Sequence, residues 1–156
     1  MRVTICAVGR MRSGPASTIC EDYQSRFNRA GRGLALGPVV IEEVDDRRGG
    51  GIAAEAELLR KTVPKRALTC ALDERGRTMP STEFAATLAR WRDDGHRDLA
   101  ILIGGADGLD PKLRESADFS LSFGAMVWPH MLARVMLCEQ LYRAVTILSG
   151  SPYHRA

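Results

Sequence analysis

Apolar residues along the chain form short continuous runs that alternate with longer segments of helical spacing. Five of the runs are rich in β-branched residues and bounded by glycine or polar residues, which is typical of strands. The run at 98–103 is nearly all apolar, as expected of a strand covered on both faces of a parallel sheet. The predicted strands span 1–8, 39–41, 66–72, 98–103 and 119–123.

Between the runs, apolar residues recur every three to four positions, which is the period of a helix with one buried face. Ser81 stands where its side chain can cap the third of these segments. The last segment carries apolar residues on more than one face, which predicts burial against two neighbours. The predicted helices span 16–29, 52–62, 81–91, 110–116 and 130–148.

Strand and helix alternate five times, which predicts a three-layer α/β domain around a mainly parallel sheet. The polar segment 73–76 is expected to form a turn, and the charged segment 45–51 a flexible loop. Ligands of such folds bind beyond the carboxyl ends of the strands. We therefore expect functional residues in the loops after Leu72, Ile103 and Phe123.

Length and composition narrow the class of protein. A chain of 156 residues, 45% apolar and 26% charged, fits one globular domain spanning 1–156. No apolar stretch approaches the ~20 residues of a membrane span, and the first residues lack the pattern of a signal peptide. The four cysteines have neither metal-site nor redox spacing. We expect a reduced, cytoplasmic protein that does not engage a membrane.

The net charge of +3 hides an uneven distribution, because residues 1–78 carry +4 and residues 79–156 carry −1. Of the 22 basic residues, 19 are arginine, whose planar fork suits phosphate. Charge alone still favours an ordinary solvated surface, since +3 is well below the footprint of a basic nucleic-acid-binding domain.

Two loops have the composition of a site for a nucleotide-like ligand. Residues 104–108 read Gly-Gly-Ala-Asp-Gly directly after an apolar strand, where glycine lets backbone amides approach a ligand. A tight strand-to-helix turn explains the same glycines equally well. Residues 123–130 form an apolar loop that could cradle an adenine or a thioether, although core packing of Met126 and Trp128 is the simpler interpretation.

The C-terminal tail offers Tyr153, His154 and Arg155 in succession. An aromatic ring, an imidazole and a guanidinium can stack on a base, move a proton and hold phosphate. Disorder is the alternative, because chain ends usually fray. The three histidines are too widely spaced to predict a metal site, and no GxSxG nucleophile elbow is present.

Six motifs follow one another in the second half of the chain: Leu72-Asp73-x-x-Gly76, Ser81-x-x-Phe84-Ala85, Ile103-Gly104-Gly105-x-x-Gly108-Leu109, Leu121-Ser122-Phe123, Pro129-His130-x-x-x-Arg134-Val135-x-Leu137-x-Glu139-Gln140-Leu141-Tyr142-Arg143-Ala144 and Pro152-Tyr153-His154-Arg155. This ordered set resembles the bacterial family of 23S ribosomal RNA pseudouridine N3-methyltransferases, which belongs to the SPOUT superfamily. The resemblance covers the whole chain, and it is looser in the N-terminal third.

The resemblance implies an α/β fold with a C-terminal trefoil knot, a homodimer, and S-adenosylmethionine bound in the knot. Relatives often carry serine followed by lysine or alanine at 124–125, and threonine and smaller apolar residues at 127–128, so this chain departs from the family pattern there. By matching position, the residues that would line the cofactor are Leu72, Gly104, Phe123, Gly124, Ala125, Met126, Val127 and Trp128.

The resemblance also implies methyl transfer to N3 of a pseudouridine in 23S rRNA, within the large subunit or the assembled ribosome. The tail would complete the active site by reaching toward the partner subunit's cofactor. His154 is then the candidate for handling the N3 proton, and Tyr153 for stacking on the base. Arg143 and Arg155 would stabilise negative charge or hold phosphate.

Two other functions fit the same sequence. One is a non-catalytic RNA- or nucleotide-binding module that uses the glycine-rich loops without chemistry. The other is a SPOUT methyltransferase that acts on a different RNA. Binding of S-adenosylmethionine distinguishes the binding module from an enzyme. Only the identity of the methylated RNA distinguishes a methyltransferase of 23S rRNA from one that acts on a different RNA.

Overall fold

The alternating elements predicted from the sequence are present in the computed structural model, which describes residues 1–45 and 50–155. The predicted loop at 45–51 lies partly outside the described residues. The strands are β1 (Arg2–Val8), β2 (Val39–Val44), β3 (Leu68–Thr78), β4 (Asp98–Ile103) and β5 (Phe119–Ser122). The helices are α1 (Pro15–Ala30), α2 (Gly51–Thr62), α3 (Ser81–Asp93), α4 (Pro111–Glu115) and α5 (His130–Leu148), with a 3₁₀ turn at Gly31–Leu34 that the sequence pattern did not predict.

The five strands form one sheet in the order β2-β1-β4-β3-β5, and all four neighbouring pairs are parallel. Side chains alternate between its faces, so that Val3, Ile5 and Ala7 pack beneath α1, α3 and α5. Cys6 and Val8 lie on the other face, with the residues of α2 and α4. The predicted three-layer α/β architecture is therefore confirmed, whereas the trefoil knot stays a prediction.

All four cysteines are free and buried, as expected of apolar strand and helix positions. Burial raises the pKa of the Cys6 thiol to about 11 and that of Cys70 to about 12. These two thiols are consequently protonated at neutral pH and behave as small apolar side chains.

The predicted turn at 73–76 is wrong, because the strand resumes after it. Leu72 and Arg77 both oppose Leu121 of β5, so residues 73–76 form an irregular bulge within β3. A Cβ added to Gly76 would lie 2.6 Å from the carbonyl carbon of Leu121, which explains why glycine stands where the two backbones meet. A partner strand distant in sequence thus converts a polar segment into part of the sheet.

Ser81 was predicted to cap α3, and this is also wrong. Pro80 is the N-cap residue and makes no side-chain hydrogen bond. The Ser81 hydroxyl instead donates to Oε1 of Gln140 on α5, 2.8 Å away. The serine therefore links two helices rather than ending one.

Candidate functional site

The bulge within β3 and the loops that follow β4 and β5 meet in one pocket at the carboxyl edge of the sheet. The pocket has a volume of about 220 Å³. All the predicted cofactor residues except Ala125 line it, and Ala125 is exposed. Its lining also includes residues that the prediction missed: Asp73, Glu74, Ile103, Gly105, Ala106, Asp107, Gly108, Leu109, His130 and Ala133.

A tight backbone turn after β4 forms one wall of this pocket. The amide of Gly108 donates to the carbonyl of Gly105 across 3.2 Å, and Gly108 has a φ of 82°. A Cβ added to Gly104 would lie 2.3 Å from the carbonyl carbon and oxygen of Gly108. The turn itself thus requires glycine at 104, in addition to any need for close approach by a ligand.

The bulge in β3 places a buried carboxylate in the pocket. Asp73 is 8% exposed, and its Oδ1 accepts a hydrogen bond from the amide of Arg75 at 3.0 Å. The same oxygen lies 3.9 Å from Arg75 Nη1 and 4.0 Å from Arg114 Nη1. Asp73 was missed as a pocket residue, although its position directly after Leu72, at the end of a predicted strand, could have indicated it.

Three apolar side chains form an exposed lip on the pocket, which we call the apolar lip: Met126, Val127 and Trp128. Their exposed fractions are 71%, 83% and 40%. Core packing of Met126 and Trp128, the simpler interpretation of the sequence, is therefore wrong. Exposed apolar groups beside a pocket are available to cover a bound ligand.

Three of the remaining predicted residues, Arg143, Tyr153 and His154, gather in a second place. With Tyr23, Glu139 and Tyr142, which were not predicted, they form what we call the tail cluster. The hydroxyl of Tyr153 donates to Oε1 of Glu139 at 2.9 Å and lies 3.3 Å from the hydroxyl of Tyr23. Arg143 also binds Glu139, and its guanidinium carbon lies 4.9 Å from the centre of the Tyr153 ring. These contacts hold the tail against α1 and α5.

The imidazole of His154 is at the edge of this cluster, with Nδ1 3.4 Å from Nη1 of Arg143. Arg155 is exposed. Glu139 was not predicted as a site residue, although its spacing of four from Arg143 on a helix is the signal of an ion pair. The tail is therefore docked on its own chain and not frayed at Tyr153.

Burial raises the pKa of the Tyr153 phenol above that of an ordinary tyrosine, and its hydrogen bonds to Tyr23 and Glu139 act in the same direction. The hydrogen bond with Glu139 likewise raises the pKa of Arg143. Both side chains therefore keep their protons at neutral pH. Tyr153 acts as a hydrogen-bond donor and Arg143 as a permanent cation.

The two sites share no lining residue: none of the tail-cluster residues lines the pocket at the carboxyl edge of the sheet. Glu139 and Tyr23 line an apolar groove of about 620 Å³, to which Ile19, Phe84 and Val135 also contribute. The groove shares Phe123 and Gly124 with the pocket, so it adjoins both places. The pocket and the tail cluster are therefore built from different residues, and the apolar groove lies between them.

Comparison with known families decides what this arrangement belongs to. The model of the family described as "Predicted SPOUT methyltransferase" matches residues 1–154. The chain belongs to the SPOUT methyltransferase family. This membership confirms the family resemblance of the motifs between Leu72 and Arg155.

The SPOUT relatives include a protein of Dinoroseobacter shibae named "Ribosomal RNA large subunit methyltransferase H". It is 66% identical over 155 residues, which is 99% of either chain. A "probable methyltransferase" of Bordetella pertussis has the same fold, with a TM-score of 0.53, 19% identity, and 92% of this chain matched to 96% of that one. A Legionella pneumophila methyltransferase solved with "the bound cofactor SAM" has a TM-score of 0.50 at 14% identity, covering 92% and 66% of the two chains.

The described part of this SPOUT chain holds no cluster of three or more histidine, cysteine or acidic side chains arranged to bind a metal ion. Across residues 1–45 and 50–155, no helix has the length and hydropathy needed to cross a bilayer.

Proposed function

We propose that the chain transfers a methyl group from S-adenosylmethionine to N3 of a pseudouridine in 23S rRNA. The observation that carries the proposal is the meeting of the β3 bulge and the loops after β4 and β5 in one pocket. The chain is also 66% identical to a named large-subunit rRNA methyltransferase. We also infer a single domain over 1–156, a C-terminal trefoil knot and a cytoplasmic location.

The chemistry of the pocket fits this cofactor. Leu72, Phe123 and Trp128 offer apolar surface for an adenine, and the backbone of the Gly104–Gly108 turn offers polar groups. The buried carboxylate of Asp73 also lines the pocket, beside the guanidiniums of Arg75 and Arg114. When bound, the cofactor supplies an electrophilic methyl group on a sulfonium.

The tail residues then act on the base that receives the methyl group. N3 of pseudouridine is a weakly acidic imide nitrogen and must lose its proton, for which His154 is the proposed acceptor. Tyr153 keeps its own proton and serves for stacking or donation. Arg143 and Arg155 stabilise the negative charge that develops on the base or hold a neighbouring phosphate.

A homodimer brings the two sites together in this proposal. The tail cluster of one chain does not line that chain's own pocket, and in this proposal the tail of one subunit completes the pocket of its partner. The apolar groove between α1, α3 and α5 supplies surface for a partner, and Ile19 beside it is 43% exposed. Light scattering that shows a stable monomer at micromolar concentration would contradict the shared site.

Two experiments separate this proposal from its alternatives. Calorimetry with S-adenosylmethionine should show binding, whereas a non-catalytic RNA-binding module should release no heat. Mass mapping of rRNA from a strain that lacks the gene should show the loss of one methyl group on one pseudouridine of 23S rRNA. Loss of a methyl group from another RNA instead would favour the SPOUT methyltransferase with a different substrate.

A further inference from the structure

A fully buried arginine lies beneath the loop that follows β1. Arg134 of α5 has no exposed surface, and its Nη2 donates to the carbonyls of Val8 and Gly9 at 3.1 and 3.0 Å. Its Nη1 donates to Oε1 of Glu43 at 2.6 Å. Its Nε is buried and has no partner among the described residues. Removing one partner of a buried charged pair is strongly unfavourable, so Arg134 and Glu43 hold the backbone that they bind.

The buried arginine fixes the conformation of residues 9–12, which we call the β1 loop. Oε1 of Glu43 also accepts the amide of Met11 at 2.9 Å, and the Met11 side chain packs against the main core. The amide of Gly9 donates to the carbonyl of Val44 at 2.9 Å. The loop is therefore held by its backbone at both Gly9 and Met11, although its surface is solvated.

The two side chains that this loop presents are both arginines. Arg10 and Arg12 are exposed, and neither has a polar partner among the described residues. The carboxylate beneath them, Glu43, is already paired with Arg134. The anchored loop thus carries two guanidiniums with no carboxylate bound to them. Because the backbone of the loop is already fixed, less conformational entropy is lost when these side chains bind a ligand.

The β1 loop follows the carboxyl end of β1, which is parallel to β4, so the loop and the pocket lie at the same edge of the sheet. A Cβ built on Gly105, which lines the pocket, would lie 3.1 Å from Cγ1 of Val8. Ala133, the residue before Arg134, lines the pocket as well. The two guanidiniums consequently stand at the same edge of the sheet as the proposed site of methyl transfer.

We propose that Arg10 and Arg12 bind phosphates of the RNA backbone that flanks the modified nucleotide, and that Arg134 and Glu43 position them. The proposal rests on the proposed function for the identity of the RNA. Arginine forks match phosphate geometry, and contacts of this kind set the register of a protein on RNA without reading its sequence. Docking on a ribosomal protein is the competing explanation, and its binding would lack the salt dependence of phosphate contacts.

The test compares two double variants of equal charge in binding to large ribosomal subunits from a strain that lacks the gene. Arg10→Ala with Arg12→Ala removes the β1 loop cations. Arg90→Ala with Arg97→Ala removes two exposed arginines near the start of β4, at the opposite edge of the sheet. The dissociation constant for the subunits is measured at several salt concentrations, together with the affinity for S-adenosylmethionine and the thermal midpoint.

We expect the β1 loop variant to weaken subunit binding about tenfold at physiological salt. The slope of log K against log salt should fall by about 0.7–0.9 for each phosphate that an arginine no longer neutralises. Cofactor affinity and thermal midpoint should stay unchanged, and the Arg90/Arg97 variant should bind like the unmodified protein. Arg10→Lys with Arg12→Lys should restore most of the salt slope, because it restores the charge.

Three outcomes would overturn the proposal: unchanged affinity, weakened affinity with an unchanged salt slope, or an equal loss in the Arg90/Arg97 variant. Failure of the proposed function is a separate result, since the unmodified chain would then transfer no methyl group to the subunits. The binding comparison does not depend on that transfer and decides the role of the two arginines in either case.

Discussion

The pocket and the tail cluster are built from different parts of the chain. The pocket depends on backbone, because its walls are a glycine turn after β4 and a loop whose side chains face solvent. The tail cluster depends on side chains, because Tyr153 and His154 are held through Glu139 and Arg143. A backbone-built site tolerates side-chain change at 124–128, where this chain departs from its family. The tail cluster, which is built from side chains, should be more sensitive to substitution.

The largest expected effect comes from removing the tail. Deletion of residues 153–156 should lower the rate of rRNA methylation at least ~100-fold, because proton handling and oriented charge are removed together. Binding of S-adenosylmethionine should stay measurable, since the residues that line the pocket within one chain all remain. Single-turnover methylation and calorimetry measure the two quantities. A truncated chain with normal methylation would place the catalytic groups elsewhere.

Gly104→Ala should damage the fold and the cofactor site together. The added Cβ would lie 2.3 Å from the carbonyl of Gly108, so the turn after β4 has to open. We expect a loss of about 3 kcal/mol in the free energy of unfolding, measured by denaturant titration. Gly33→Ala is the matched control, because a Cβ there meets no atom within 4 Å. Equal stability of the two variants would contradict a turn that requires glycine.

Local sequence patterns located some parts of the fold and of the two sites and missed others. Periodicity located the five strands and the five α-helices, because those patterns are local, but it missed the 3₁₀ turn and the second part of β3. The family motifs located the pocket through Leu72, Gly104 and Phe123. The bulge at 73–76 was mistaken for a turn because its partner, β5, lies more than 40 residues away in the chain. Docking of Tyr153 on Glu139 depends on tertiary contacts that no local pattern encodes.

Glu139→Gln should show that the tail cluster works through positioning. The amide still accepts a hydrogen bond from Tyr153, but it loses the charge that holds Arg143 over the Tyr153 ring. We expect kcat to fall about tenfold and cofactor affinity to stay unchanged. Glu57→Gln, which removes the surface pairing with Arg60 on α2, is the control and should leave kcat unaltered. A purely structural role would lower the thermal midpoint while leaving kcat intact.

Trp128→Ala should give the smallest of these effects. It changes the pocket and not the tail cluster, so the affinity for S-adenosylmethionine is the quantity expected to fall. Loss of one aromatic ring from the apolar lip is expected to weaken S-adenosylmethionine binding about five- to tenfold, which is the low end for losing an aromatic stack on a base. Val40→Ala, at a similarly exposed apolar residue on β2, should leave the affinity unchanged. Calorimetry with S-adenosylmethionine measures the affinity of both variants. If kcat falls while cofactor affinity holds, Trp128 belongs with the RNA-binding surface instead.

The most direct test of the proposed activity is methyl transfer by the purified chain. Large ribosomal subunits from a strain that lacks the gene are incubated with the protein and labelled S-adenosylmethionine, and the 23S rRNA is mapped by mass spectrometry. We expect about one methyl group per subunit, on N3 of a single pseudouridine, and at least ~100-fold less in the same time with the tail-deleted chain. A chain that binds the cofactor yet leaves the 23S rRNA unlabelled would contradict the proposed function.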